Sequence, residues 1–242
     1  MNKIVLFLSL LCVFSACKSQ SHNDEFGSFI ERFPPVELPL NTANLNNNDN
    51  YISIGGKKNK LDNKQCVRYL FNGDKSKVEY KYEKVDMETG LSKGNVKAEY
   101  NIYPAFKAVK GDFLLLGFLQ TDIYSYSYVL SVYNRGTNKC LGNIEINKMD
   151  ADDEFKLVQS ALIDNDLVVR IFRYEINPEY LEDITQSNID KTVITETQIQ
   201  ITDSNLITVE RKSKRSQCNV ADFFMKTEKC RNEDPMKDLF GY

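Results

Sequence analysis

Short apolar-polar alternations, cut by tight turns, constrain this chain most. Val78, Tyr80 and Tyr82 alternate with Glu79, Lys81 and Glu83, a period of two that suits a strand with one wet face. Tyr124, Tyr126, Tyr128, Leu130 and Val132 alternate with Ser125, Ser127 and Ser131 before Asn134-Arg-Gly136 turns the chain toward a strand over Cys140–Ile146. Asp112–Gln120 is nearly all apolar, as a central strand covered on both faces would be. Asp164-Asn165-Asp166 joins the run Phe155–Ile163 to Leu167–Ile176, and Asp203-Ser204-Asn205 joins Thr192–Thr202 to Leu206–Arg211. Such turn residues between strand-like runs read as hairpins. Hairpins in series predict an all-β fold, an antiparallel meander forming a sandwich, a barrel or an incomplete propeller-like array. No repeat of fixed period is present, which argues against a complete propeller.

Two flanking segments read as short helices. Phe26, Phe29, Ile30 and Phe33 have helical spacing behind Asp24, and Pro34-Pro35 ends that run. Val220, Phe223 and Phe224 give a second helix over Asn219–Lys226. The Asn-rich stretch Asn41–Asn50 reads as a polar loop, and Asn177–Asp190 as an excursion loop or short helix. No Gly-rich phosphate loop is present, and Ile54-Gly-Gly-Lys-Lys58 reads as a turn.

The first sixteen residues differ in kind. Lys3 precedes an apolar run from Ile4 to Phe14, then Ser15-Ala16 and Cys17. A basic start, an apolar stretch and small residues at a cleavage point mark a secretory signal. The apolar run is about half the ~20 residues a spanning helix needs. With Cys17 next, the segment resembles the lipobox of bacterial lipoproteins. The expected organisation is a lipoprotein signal peptide over 1–16, a lipidated tether over 17–25 and one β-rich domain over 26–242. Acylation at Cys17 would make the membrane a partner through lipid alone, since several acyl chains anchor where one is marginal. Lipoprotein sorting, by the same resemblance, reads Asp after the Cys as an inner-membrane signal. Lys18 stands there, which fits the outer membrane.

Loss of Lys3 with the signal moves the formal net charge from −3 to −4. That mild acidity argues against a nucleic-acid partner, which calls for a basic patch. Beyond Cys12 and Cys17 the cysteines are Cys66, Cys140, Cys218 and Cys230. Four cysteines allow three pairings, and free buried thiols are the alternative. Cys218 and Cys230 are the most natural local pair. No Cys-x-x-Cys occurs, so neither a zinc nor a thioredoxin-like site is expected.

Phe29-Ile-Glu-Arg-Phe-Pro-Pro-Val-Glu-Leu-Pro-Leu40 resembles the opening of uncharacterised outer-membrane lipoproteins of the Bacteroides group. Tyr128-Val-Leu-Ser-Val-Tyr-Asn-Arg-Gly136 with Leu141-Gly-Asn-Ile-Glu145 resembles a recurrent hairpin of the same proteins. The resemblance implies a β-rich lipoprotein and transfers no functional residue.

Chemistry is narrowed by the lone histidine, His22, which falls in the tether. The domain therefore has no imidazole for a Ser-His-Asp or Cys-His arrangement or for a metal. A general base would have to be a carboxylate, Lys or Tyr. Asp150, Asp152, Asp153, Glu154, Glu175 and Glu179 are candidates for a glycosidase pair, which needs two carboxyls facing one bond. Asp150–Glu154 lacks the Gly and distal Glu of a Ca²⁺ loop. No catalytic residue, metal or cofactor is assigned. Tyr124, Tyr126 and Tyr128 are the candidate ligand-binding stripe, with packing in the sheet core as the alternative. Arg211-Lys-Ser-Lys-Arg215 is a basic cluster at a strand end. The expected function is a membrane-anchored, non-enzymatic envelope module that binds protein or glycan. A carboxylate-based glycan hydrolase and an inhibitor or immunity-type protein are the alternatives.

Overall fold

The computed structural model describes residues 25–46, 59–86, 88–122, 125–137, 139–150, 157–176, 192–216, 218–220, 223 and 228–234. The signal, Cys17, Gly55-Gly56, Tyr124, Asp152–Glu154, Asn177–Asp190 and most of Asn219–Lys226 lie outside them. Among the described residues the α-helices are α1 over 25–30, the single turn α2 over Ala43–Asn46 and α3 over Asn63–Tyr69, and Val220 and Phe223 are also helical. No helix among the described residues is long and apolar enough to cross a membrane.

Eleven strands make the fold: β1 Leu40–Asn41, β2 Glu79–Val85, β3 Ser92–Glu99, β4 Asn101–Lys110, β5 Phe113–Thr121, β6 Ser125–Asn134, β7 Lys139–Asp150, β8 Leu157–Ile163, β9 Val168–Ile176, β10 Thr192–Ile201 and β11 Leu206–Arg215. β4 to β11 form one antiparallel meander in which each strand pairs with the next. The sheet does not close into a barrel. It curls in a sandwich-like way, so that Asn134 Nδ2 reaches Asp203 O at 2.9 Å across the interior.

Sheet pleating sends alternate side chains to opposite faces. On the inner face Leu115, Leu119, Leu130, Val132, Ile144, Ile146, Ile163, Val169 and Ile201 form the main core. Phe106 enters it opposite Gly117, where a Cβ would lie 2.1 Å from the Phe106 ring. Only glycine leaves that space. On the outer face, α1 and α3 bring Phe29, Phe33, Cys66, Tyr69 and Leu70 over Leu114, Leu116 and Phe118. β5 is thus buried from both sides, as its apolar run predicts. Farther along, Cys218, Val220, Phe223 and Cys230 cover Val158, Phe172, Tyr174 and Ile194.

The meander is weakest between β7 and β8. Only Lys148↔Gln159 and Met149↔Val158 pair there, after which β8 pairs with β1 through Leu40↔Ile163 and Asn41↔Leu162. Thr42, with no exposed surface, fills the split. Its N–H donates to Ala161 O at 2.9 Å. Its hydroxyl accepts from Ala161 N at 2.7 Å and donates to Ile146 O at 3.3 Å. Its carbonyl accepts from Asn147 Nδ2 at 3.1 Å. The same segment begins on the far edge of the sheet, where Val36 N donates to Lys107 O at 2.8 Å and Lys107 N to Pro34 O at 2.7 Å.

One expectation needs correction, and three elements carry weak sequence signals. Residues 41–46 are not a polar loop: they supply the hydrogen bonds that β7 and β8 cannot make to each other. Residues 63–69 form a helix where the sequence analysis placed no element. Asp62 caps it by accepting from the Lys64 and Gln65 amides, and Cys66, Tyr69 and Leu70 fall at the helical spacing that buries one face. Strands β3 and β4 have weak alternation, and β4 carries Pro104 beside a register shift, a tolerated place for proline in a sheet.

Thr42→Val keeps the side-chain shape but leaves the buried Ala161 amide unpaired. It should lower unfolding stability by about 2–3 kcal/mol, whereas Thr42→Ser, which keeps the hydroxyl, should cost about 1 kcal/mol. Urea unfolding measures both, and equal losses would remove Thr42 from this role.

Candidate functional site

β2 and β3 form a separate two-stranded sheet that shares no strand pairing with the meander. Cross-strand neighbours place Tyr80 beside Ala98 and Tyr82 beside Val96 on one face. All four are partly exposed, while Glu79, Lys81, Glu83, Lys97 and Glu99 on the other face are exposed.

The root of this hairpin is fixed. Tyr100 N donates to Val78 O at 2.9 Å, Gln120 Nε2 to Lys77 O at 3.0 Å, and Asn63 Nδ2 to Glu99 Oε2 at 2.8 Å. Tyr100 packs against the outer cluster under α1 and α3. Burial, and next the Asp122 carboxylate, raise its hydroxyl pKa. From Tyr100 an aromatic ladder runs outward, with ring centroids 4.8 Å apart to Tyr80 and then 6.0 Å to Tyr82.

The tip is equally defined. Asp86 Oδ1 accepts from the Glu88 and Thr89 amides at 2.9 and 3.3 Å. Its other oxygen pairs with Lys93 Nζ at 2.6 Å. These bonds, the Lys93 contact first, hold the Asp86 carboxyl below its ordinary pKa. Gly90 takes a φ of 68°, which glycine reaches without steric cost. The turn presents Leu91 at 68% exposure, with Val85 at 45%.

The sequence-derived stripe lies elsewhere. Tyr124 is outside the described residues, and Tyr128 is 1% exposed in the main core. Tyr126 packs against that core from its margin. Burial pushes both hydroxyls up to about 12. Tyr126 and Tyr128 are therefore core-facing, because their strand pairs on both sides and its inner face looks into the curl. The partly exposed tyrosines belong to β2, whose alternation was equally legible but gave no sign of how far its apolar side would be covered.

The cysteines divide. Cys218 and Cys230 form a disulfide with Cα atoms 5.9 Å apart, closing a loop whose constraint is worth about 3 kcal/mol in the chain-entropy model. Cys66 and Cys140 are free, although both border the outer cluster. Burial pushes the Cys66 thiol up to about 12 and raises Cys140 as well, so both are poor nucleophiles.

The carboxylates do not converge in either of two clefts among the described residues. A cleft of about 400 Å³ beside β7 has Glu145 as its single lining carboxylate, and one of about 450 Å³ beside Pro34 and Lys107 has Glu31. Glu175 is held by Arg173 at 2.7 Å. Asp152, Asp153, Glu154 and Glu179 are outside the described residues, as is the Asp150 side chain. The basic cluster lies on β11, an edge strand. Charge there discourages pairing with other chains.

Cys66, Tyr126 and Tyr128 keep their protons more tightly folded than unfolded. Their stabilising effect is complete below the unfolded values of 9.0 and 10.0 and is lost as pH rises toward 12. The urea midpoint should therefore fall between pH 9 and 12, and Tyr128→Phe should make that fall shallower. An unchanged slope in the variant would contradict the placement of Tyr128.

No known family model, curated protein or solved structure matches this chain.

Proposed function

We propose that this chain is a lipid-anchored, non-enzymatic binding module of the bacterial cell envelope. It is held at Cys17 and presents the β2–β3 hairpin to an envelope protein. The observation that carries this reading is the outward aromatic ladder ending in Leu91. A two-stranded hairpin is marginal alone in water, yet this one is braced at its root and its tip. Tyr and exposed aliphatic side chains supply contact area at low entropic cost. Among the described residues no strand pairs with the outer backbone edges of β2 and β3, which leaves them to strand addition.

The tether limits where such a partner sits. Seven residues, Lys18–Asp24, separate the acylated Cys17 from α1, and the eight steps from Cys17 to residue 25 span at most about 29 Å. The partner is therefore close to the membrane. Lys18 behind Cys17, with the resemblance to Bacteroides-group lipoproteins, favours the outer membrane. The absence of histidine from residues 23–242 supports binding over catalysis. A hairpin standing off the body also suits an inhibitor that enters another enzyme's cleft, so inhibitor or immunity function is the second reading.

The wild-type chain, solubilised from envelopes in mild detergent, should retain a partner that Leu91→Asp and Tyr82→Asp lose, since both positions are partly or fully exposed and neither supports the core. Cys17→Ser should move the chain from the membrane to the released fraction. Retention of the same partner by both hairpin variants would defeat the reading. Loss of an enzyme partner's activity on binding would select the inhibitor form.

A further inference from the structure

The inner face of β8 to β11 changes character along the strands. Cross-strand register puts Ile163, Val169, Ile199 and Thr208 in one row, then Ala161, Ile171, Thr197 and Arg211, then Gln159, Arg173, Thr195 and Ser213. The first row belongs largely to the apolar core. The last is entirely polar, and its Gln159, Arg173 and Thr195 line a cleft of about 400 Å³ together with Asn143–Glu145 of β7.

The polar groups of this cleft have unused capacity. Gln159 is 4% exposed, and its amide nitrogen donates to Glu145 O at 2.7 Å. Its side-chain oxygen accepts no hydrogen bond among the described residues, and the residue lines the cleft. Arg173 spends Nε and one Nη2 hydrogen on Glu175 Oε2 at 2.8 and 2.7 Å. Three of its five donors remain. Arg211 lines the same cleft and forms no ion pair among the described residues. The one lining carboxylate, Glu145, has Lys148 Nζ at 3.7 Å. The lining is thus cationic within an acidic chain, and Ile171 and Ile199 give it an apolar floor.

We propose that this cleft binds a small acidic saccharide, a hydroxylated ring bearing a carboxylate. The arginines would take the carboxylate, since planar guanidinium donors match its geometry. The Gln159 oxygen would accept a ring hydroxyl, and the Thr195 and Thr197 side chains supply further polar contacts. The less polar ring face would lie on Ile171 and Ile199. The volume falls within the range of small-molecule sites. This site is separate from the hairpin.

Titration calorimetry of the full detergent-solubilised chain with sodium glucuronate tests it, with glucose and sodium acetate as comparison probes. Glucuronate should bind saturably, and each comparison probe should bind at least about tenfold more weakly. Arg211→Ala should weaken glucuronate by roughly ten- to hundredfold, the scale of a charge-assisted contact. Arg211 is exposed, so the variant is expected to fold, and circular dichroism checks this. Leu91→Asp should leave glucuronate affinity unchanged, which separates this site from the hairpin. No saturable glucuronate binding, equal binding of acetate, or an undiminished affinity in folded Arg211→Ala would each overturn the proposal.

Discussion

The structure depends on how the backbone is satisfied where β7 and β8 part. Buried amides and carbonyls must find partners, and past Lys148↔Gln159 these two strands no longer supply them to each other. Thr42 does so with its backbone and hydroxyl, and Asn147 and Gln159 add side-chain bonds across the same split. The curl that encloses the core therefore requires a segment that comes 104 to 119 residues before the strand positions it binds. Because residues 34–36 are also tied to β4, this segment links one edge of the sheet to its interior seam.

This arrangement sets which surfaces are available. The inner face is filled by the core, and the outer face is covered twice. The N-terminal helices lie over β4 to β6, and the disulfide-bonded C-terminal segment lies over β8 to β10. In that second cover, Tyr174 donates to the buried Asp234 carboxylate at 2.7 Å and stacks near Phe223 with centroids 4.7 Å apart. Among the described residues two regions fall outside these layers: the β2–β3 hairpin, and the polar end of the concave face. One is aromatic and aliphatic, the other cationic and hydroxyl-rich, so they suit different ligands.

Much of the meander was legible because β5, β6 and β8 to β11 carry strong alternation or continuous apolar runs between Asp- and Asn-rich turns. β4 was harder to read, since Pro104 interrupts it and its register shift breaks the period. The α3 signal, Asp62 followed by Cys66, Tyr69 and Leu70, was present but short. Thr42 was not legible at all: a threonine in an Asn-rich stretch carries no local mark of a partner at Ala161. The same limit left the tyrosines of β6 open between a ligand-binding stripe and core packing. Alternation tells which residues share a face, as in Tyr80–Tyr82 and Tyr126–Tyr128, but the layer covering that face comes from distant chain. Cys218 and Cys230 were recognisable as a pair because their contact is local. The open ends of Gln159, Arg173 and Arg211 meet only through strand register.

The central claim is that β2 and β3 stand apart from the packed sheet and are available to a partner. Hydrogen exchange on the isolated chain tests this directly, because local opening reports how much packing holds an element. The account predicts that amides of Glu79–Val85 and Ser92–Glu99 are protected at least about a hundredfold less than those of β5 and β6. Protection equal to that of the central strands would mean that the hairpin is packed as firmly as the core, and would contradict the account.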